Sequence, residues 1–244
     1  MSCFRNLLGN HLLLFIFLIL LPSFALNASN RANKFIVKGV FIDKDTGKRV
    51  QGVSVLILNT KDQSKISLVT GKNGDFKVTL NDLAEYKIQG SKPMHLFSLE
   101  KSVLTYDLTP NTNIDLEFKI ERIHFNTPYL LPNFKFHLND KEIANTDARY
   151  ITLLKEILDD HPDMSIEIRN HTDSRGSDDY NLTLSQKRAD EIKKLLIKKG
   201  LPAQNILALG IGEKELLNEC ENNIKCSSTA HLINRRSEFV LTTP

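Results

Sequence analysis

The sequence predicts an α+β chain in which a small antiparallel β-sandwich precedes an α/β sandwich of βαβαββ order. Three observations predict it. Between Phe35 and Ile120, short alternating runs recur with turn signals about every ten residues, the pattern of a small sandwich. Beyond Asn133 the apolar spacing alternates between the strand period of two and the helical spacings of three, four and seven. The first 25 residues read as an export signal, which sets both folded parts outside the cytoplasm.

The leader carries Arg5 ahead of a wholly apolar run from Leu12 to Leu21, and Ser23, Phe24 and Ala25 offer a small-x-small cleavage site. The run is broken by Pro22 and falls short of the roughly 20 residues a spanning helix needs, so cleavage after Ala25 is expected rather than a retained anchor. Cys3 lies ahead of the apolar run, where a lipid-modified cysteine would follow it, so no lipid anchor is expected. Residues 26–34 are a polar linker.

Residues 35–120 form the expected sandwich. The runs starting at Phe35, Val53, Phe76, Tyr86, His95, Val103 and Ile114 read as strands, and Asn73-Gly74 supplies the positive φ of a tight hairpin. Asp43, Asp45, Asn73 and Asp75 are read as turn residues that bond their own backbone rather than as calcium ligands. The segments "GVFIDKDTGKRVQGVSVLIL" and "VTGKNGDFKVTL" resemble the carboxypeptidase regulatory-like, transthyretin-like sandwich modules of exported bacterial proteins. That resemblance implies a spacer or docking module, with an envelope protein as its partner.

Two prolines between Glu121 and Pro132 place a linker over residues 121–132, and the second folded part over 133–244. Asn133 to Leu138 alternates as a strand closed at Asn139, and a helix follows from Asp147 to Asp160 with Thr146 as its candidate N-cap. Ser165 to Arg169 is the next strand. A long helix ends at Gly200, with Pro202 preventing its continuation. Asn205 to Gly210 and Arg236 to Leu241 are the last strands, and Cys220 and Cys226 lie in the excursion between them. Two remaining cysteines in an exported chain predict a disulfide, and without a second pair nearby they do not predict zinc.

The stretch from Ile166 to Ala189 carries most of the functional signal, because a strand runs through a polar loop into the long helix. At about 100° per residue Asn181, Arg188 and Ile192 share one helix face, so polar groups occupy the inward side of the first turns. Positive and negative charges are interleaved to a net +3 and tryptophan is absent, which excludes the basic footprint and stacking platform of a nucleic-acid binder. No cluster of serine, cysteine or metal-ligating residues stands beside the Asp and Arg residues, so binding is expected rather than catalysis, with neither cofactor nor metal.

Taken together, "NHTDSRGSDDYNLTLSQKRA", the Gly210-Ile211-Gly212-Glu213 turn and Asn234-Arg235-Arg236 resemble the OmpA-like C-terminal domain, and the module order resembles exported Bacteroidetes proteins of that family. The resemblance implies an α/β sandwich that binds peptidoglycan non-covalently through diaminopimelate in its stem peptides. It also implies a periplasmic location at the outer membrane or cell wall. Matched position by position, it puts ligand contacts at Asp173, Arg188, Asn181, Asn139 and Arg235, and backbone N–H groups from Thr172 to Arg175 and at the helix start are expected to add donors. Asp173 suits an ammonium and Arg188 a carboxylate held by two parallel hydrogen bonds. The alternative from spacing alone is an ion pair between Asp173 and Arg188 that ties loop to helix. His171 reads as a packing residue, Arg236 as a brace, and Arg169, Arg175 and Lys187 as solvent-facing. A rival role is a subunit of a motility, secretion or adhesion complex, with wall binding secondary. Asn170, where the family has a small residue, would narrow the loop mouth, and Ile211 replaces a frequent aromatic.

Overall fold

The computed structural model describes residues 34–81, 83–136 and 143–243, so the expected export signal, most of the expected 26–34 linker and Asn139 lie outside the described residues. Among those described, no helix is long and apolar enough to cross a membrane.

In the first part, β1 (Phe35–Asp43), β4 (Asp75–Leu80) and β7 (Asn113–Ile120) form one sheet in the order β4-β1-β7. A second sheet has the order β3-β2-β5-β6, from β2 (Ser54–Asn59), β3 (Lys65–Val69), β5 (Glu85–Ser91) and β6 (Lys101–Leu104). Alternate residues of both sheets meet in a core where Phe41 stacks on Phe118 at 4.7 Å. The expectation of an all-antiparallel sandwich is corrected at one pair, because β1 and β7 run parallel. They are the first and last strands, and the chain between them passes through the other sheet, so no hairpin dictates their direction. Strand β3 was not expected, since it lies at a sheet edge with most of its residues exposed and its apolar signal is weak. His95 to Phe97 is no strand. His95 forms an isolated bridge to Arg122, while Met94, Leu96 and Phe97 turn away onto the second part.

The second part is built on a sheet of order β12-β11-β13-β8, from β8 (Pro128–Leu130), β11 (Ser165–His171), β12 (Ile206–Gly212) and β13 (Ser237–Thr242). Strand β8 comes from the stretch read as a linker and pairs antiparallel with β13 at the sheet edge, where its proline is tolerated. The run expected as the first strand yields β9 (Lys135–Phe136), which pairs with β10 (Ile143–Asn145) outside the main sheet. Ile166, Ile168, Phe239 and Leu241 from this sheet share one core with Leu154 and Ile157 of α1 (Ala148–Asp160) and Ile192 and Leu196 of α2 (Asp178–Lys198). Asp147, not Thr146, caps α1, its side chain accepting the backbone N–H of Arg149 at 3.0 Å. A short α3 (Ser228–Asn234) was also unexpected, and Ser227 caps it.

Helix α2 runs along the edge of β12 and satisfies its backbone. Gln186 donates to the Ala208 carbonyl at 3.0 Å and accepts the Gly210 N–H at 2.8 Å, while Ser185 Oγ accepts the Gly212 N–H at 2.9 Å. These bonds close an edge that would otherwise be open to pairing. They also hold the start of α2, and with it Asn181 and Arg188, at a fixed distance from the sheet.

The two parts meet through the 92–99 segment. Phe97 packs edge-on against Tyr150 of α1 at 5.6 Å, and Arg149 donates to Gln89 at 2.8 Å and to Asp147 at 2.6 Å. Leu96 and Ile123 exchange backbone bonds with Glu121 and Met94 across the stretch read as a linker.

Candidate functional site

Strand β11 ends at His171, and the loop from Thr172 to Ser177 leads into α2, whose N-cap Ser177 accepts the Tyr180 N–H at 3.3 Å. The loop hangs from two backbone bonds: His171 N–H to the Arg236 carbonyl and Thr172 N–H to the Gly212 carbonyl, both at 2.9 Å. The ends of β12 and β13 therefore set where Asp173 lies. Ser174 Oγ donates to the carbonyl of Cys220 at 2.5 Å, which ties the loop to the excursion between β12 and β13. Cys220 and Cys226 are joined by a disulfide, with Cα atoms 5.9 Å apart. Replacing both cysteines with serine is expected to cost about 2 kcal/mol by the loop-entropy relation, a loss that urea unfolding under oxidising conditions measures.

Thr172, Asp173, Arg175, Asn181, Arg188 and Arg235 line a cleft of about 360 Å³ at this junction. Asp173 is 5% exposed, yet it faces two guanidiniums: Arg175 Nη2 at 2.9 Å and Arg235 Nη1 at 2.5 Å. Burial pushes its carboxyl up, but the hydrogen bonds from Arg175 and Arg235 outweigh burial and hold it below the ordinary carboxylate range. Arg188, 4% exposed, stands over the Phe136 ring with its guanidinium 5.0 Å from the centroid. Asn181 donates to the carbonyls of Asp173 at 3.1 Å and Arg175 at 3.3 Å, and also to the Glu213 carboxylate. Its amide thereby fixes the loop's curvature. The Thr172 hydroxyl is buried with no partner among the described residues, although Thr172 lines the cleft. A buried hydroxyl without a partner is costly. The Thr172 N–H, expected as a donor to ligand, is instead taken by the Gly212 carbonyl.

Five of the six expected contact residues thus line one cleft; the sixth, Asn139, lies outside the described residues. Arg175, expected at the solvent face, has a side chain 49% exposed but turns its guanidinium back onto Asp173. Its position two residues after an Asp in a tight loop is the spacing that permits this return. Arg169 also leaves solvent, pairing with Glu215 at 2.6 Å. Glu213, named only as part of a turn motif, and Phe136 join the site through the fold alone, because their partners Asn181 and Arg188 lie far away in sequence.

The Asn234-Arg235-Arg236 run performs three separate tasks. Asn234, fully buried, accepts the Leu217 N–H and donates to Asn218, both at 2.8 Å, bracing the excursion. Arg235 reaches Asp173. Arg236 donates to Glu238 at 2.6 Å, and that same carboxylate meets His171 Nε2 at 3.0 Å. His171 is 1% exposed, so this pair links β11 to β13 behind the cleft instead of entering it.

Residues 135–228 match the OmpA family. This segment of the chain is an OmpA-family domain. The chain is 35% identical over 104 residues to outer membrane porin F of Pseudomonas fluorescens, covering 43% of this chain and 30% of that protein. It is 36% identical over 80 residues to a peptidoglycan-associated lipoprotein of Buchnera aphidicola, covering 33% of this chain and 46% of the relative. The chain thus spans less than half the length of these relatives. The crystal structure of the peptidoglycan-associated lipoprotein from Burkholderia pseudomallei is similar at 26% identity and a TM-score of 0.36, covering 44% of this chain and 86% of that one.

In the OmpA-family domain, Asn170 is 2% exposed and donates to Ser237 Oγ at 2.9 Å. It joins β11 to β13 and does not line the cleft, so the expected narrowing of the loop mouth does not occur. Ile211 belongs to β12 and is half-buried there.

Proposed function

We propose that the OmpA-family domain binds peptidoglycan non-covalently, taking the free amino-acid end of diaminopimelate in a stem peptide into the cleft between β11 and α2. The observation that carries this reading is the convergence of one buried carboxylate and three guanidiniums, those of Arg175, Arg188 and Arg235, on a single cleft. A free amino-acid end needs an anion for its ammonium and a cation for its carboxylate. Asp173 takes the first part and Arg188 the second, with the fork geometry that a lysine lacks. Thr172 adds a hydrogen-bonding group at the cleft wall. Asn139 is assigned a polar contact from the resemblance alone. The names of two relatives, outer membrane porin F and peptidoglycan-associated lipoprotein, support an envelope location and a wall partner.

In this reading the protein is an exported binding protein of the periplasm, not an enzyme, that tethers the outer membrane or an envelope complex to the cell wall. Residues 35–120 form a β-sandwich that docks an envelope partner, and 133–244 carry the wall-binding domain. A repeating wall polymer compensates for a modest single-site affinity through avidity.

The test is cosedimentation of the mature protein with insoluble peptidoglycan. Asp173→Ala combined with Arg188→Ala is expected to lower the bound fraction at least about tenfold, since hydrogen bonds to charged groups contribute about 1.5–3 kcal/mol each. Circular dichroism checks that the variant is folded. Undiminished sedimentation of the folded variant would overturn the site assignment.

A further inference from the structure

The Asp173 carboxylate has no vacant acceptor position. Oδ1 takes the Arg175 backbone N–H at 3.1 Å and Arg175 Nε at 3.2 Å, and Oδ2 takes Arg175 Nη2 at 2.9 Å and Arg235 Nη1 at 2.5 Å. An ionised carboxylate offers about four lone-pair positions, so these four donors saturate it. A ligand ammonium therefore reaches Asp173 only if a donor leaves.

The donors differ in how readily they can go. The Arg175 N–H is fixed by the chain. The Arg235 side chain is 28% exposed and leaves only one position when it moves. The Arg175 side chain is 49% exposed, and among the described residues its guanidinium has no partner other than Asp173. Its departure frees one position on each oxygen, and the released guanidinium regains water from a place already half in solvent.

We propose that the Arg175 side chain is an internal stand-in for the ligand's ammonium. It occupies Asp173 until an ammonium-bearing ligand enters, and then swings into solvent. This inference rests on the reading of Asp173 as the ammonium subsite, and it adds a specificity device. A bidentate guanidinium is displaced only by a ligand whose ammonium is held in place by further contacts, here its carboxylate on Arg188, so isolated cations are rejected. Arg175 is a gatekeeping residue in this arrangement and makes no productive contact with the bound ammonium.

Calorimetric titration with two probes tests this. meso-Diaminopimelate carries ammonium and carboxylate groups, and pimelate is the same dicarboxylate chain without the amino groups. Arg175→Gln is expected to bind diaminopimelate about threefold more tightly or better, the order expected when a competing partly exposed ion pair is removed. Pimelate should bind the variant no better than the wild type. Arg175→Lys, which keeps the charge but not the fork, should gain less. The gain should vanish when Asp173→Asn is added. Unchanged or weaker binding of diaminopimelate by a folded Arg175→Gln, with the wild type still binding it, overturns this inference and leaves the wall-binding reading standing. Equal tightening for both probes also overturns it. If neither the wild type nor Arg175→Gln binds diaminopimelate, the reading beneath it falls as well.

Discussion

Gly210→Ala is expected to be strongly destabilising, costing about 3 kcal/mol or more, the upper end of core overpacking. A Cβ at this position would lie 2.2 Å from the backbone N and 2.6 Å from the Cα of Gln186, and 2.8 Å from Ser185 Oγ. The first two atoms belong to the backbone of α2, so no rotamer change relieves the clash. Helix and strand must separate. Separation breaks the Gln186 bonds to Ala208 and Gly210 and the Ser185 bond to Gly212, and it moves the turns that carry Asn181 and Arg188. Urea unfolding should show a lowered midpoint, and binding to insoluble peptidoglycan should fall with it. Gly47→Ala serves as the control. Its φ of +68° strains an alanine by about 1–2 kcal/mol, but nothing lies within 4 Å, so the fold around it should persist. Equal stability of Gly210→Ala and wild type would contradict the close approach of α2 to β12.

The second large effect is expected at Glu238. This carboxylate is 7% exposed and is held by Arg236 at 2.6 Å and His171 at 3.0 Å. Burial pushes its pKa up, but the hydrogen bonds from His171 and Arg236 prevail and lower it from 4.5 to about 2. A carboxyl depressed in the folded state contributes stability that is fully present above its unfolded pKa and lost as pH falls through the folded one. The wild type should therefore lose about 3 kcal/mol between pH 4.5 and about pH 2 through this group. Glu238→Ala leaves the buried Arg236 and His171 side chains without their shared anion, and breaking a buried pair from one side costs about 3 kcal/mol or more. At neutral pH the variant should be much less stable, and its stability should depend less on pH over the same acid range. Urea midpoints across that range measure both. Parallel pH curves for the two proteins would remove Glu238 as the source of acid sensitivity.

Some of this architecture is legible locally. Alternation marks β1, β2, β4 and β11, the buried stripe Ile151, Leu154, Ile157 and Leu158 marks α1, and Gly200 with Pro202 marks the end of α2. These signals lie within a few residues of where they act, because period and turn chemistry are properties of short stretches. Strand β3 escapes for the converse reason: it lies at a sheet edge with most of its residues exposed, so no clear apolar alternation marks it. The candidate site divides in the same way. Asp173, Asn181 and Arg188 stand out because a strand, a loop and one helix face follow one another directly.

The order of sandwich and α/β parts, the residue types at the β11–α2 junction and the chemistry they can perform are all readable along the chain. Which of those charges face one another follows from the folded arrangement alone. Arg235 reaches Asp173 across 62 positions and β1 joins β7 in parallel, while Met94 to Phe97 leaves the sandwich to complete another core. Such partners are selected by packing between elements, which no local period encodes. The saturated carboxylate of Asp173 is therefore a property of the folded chain alone.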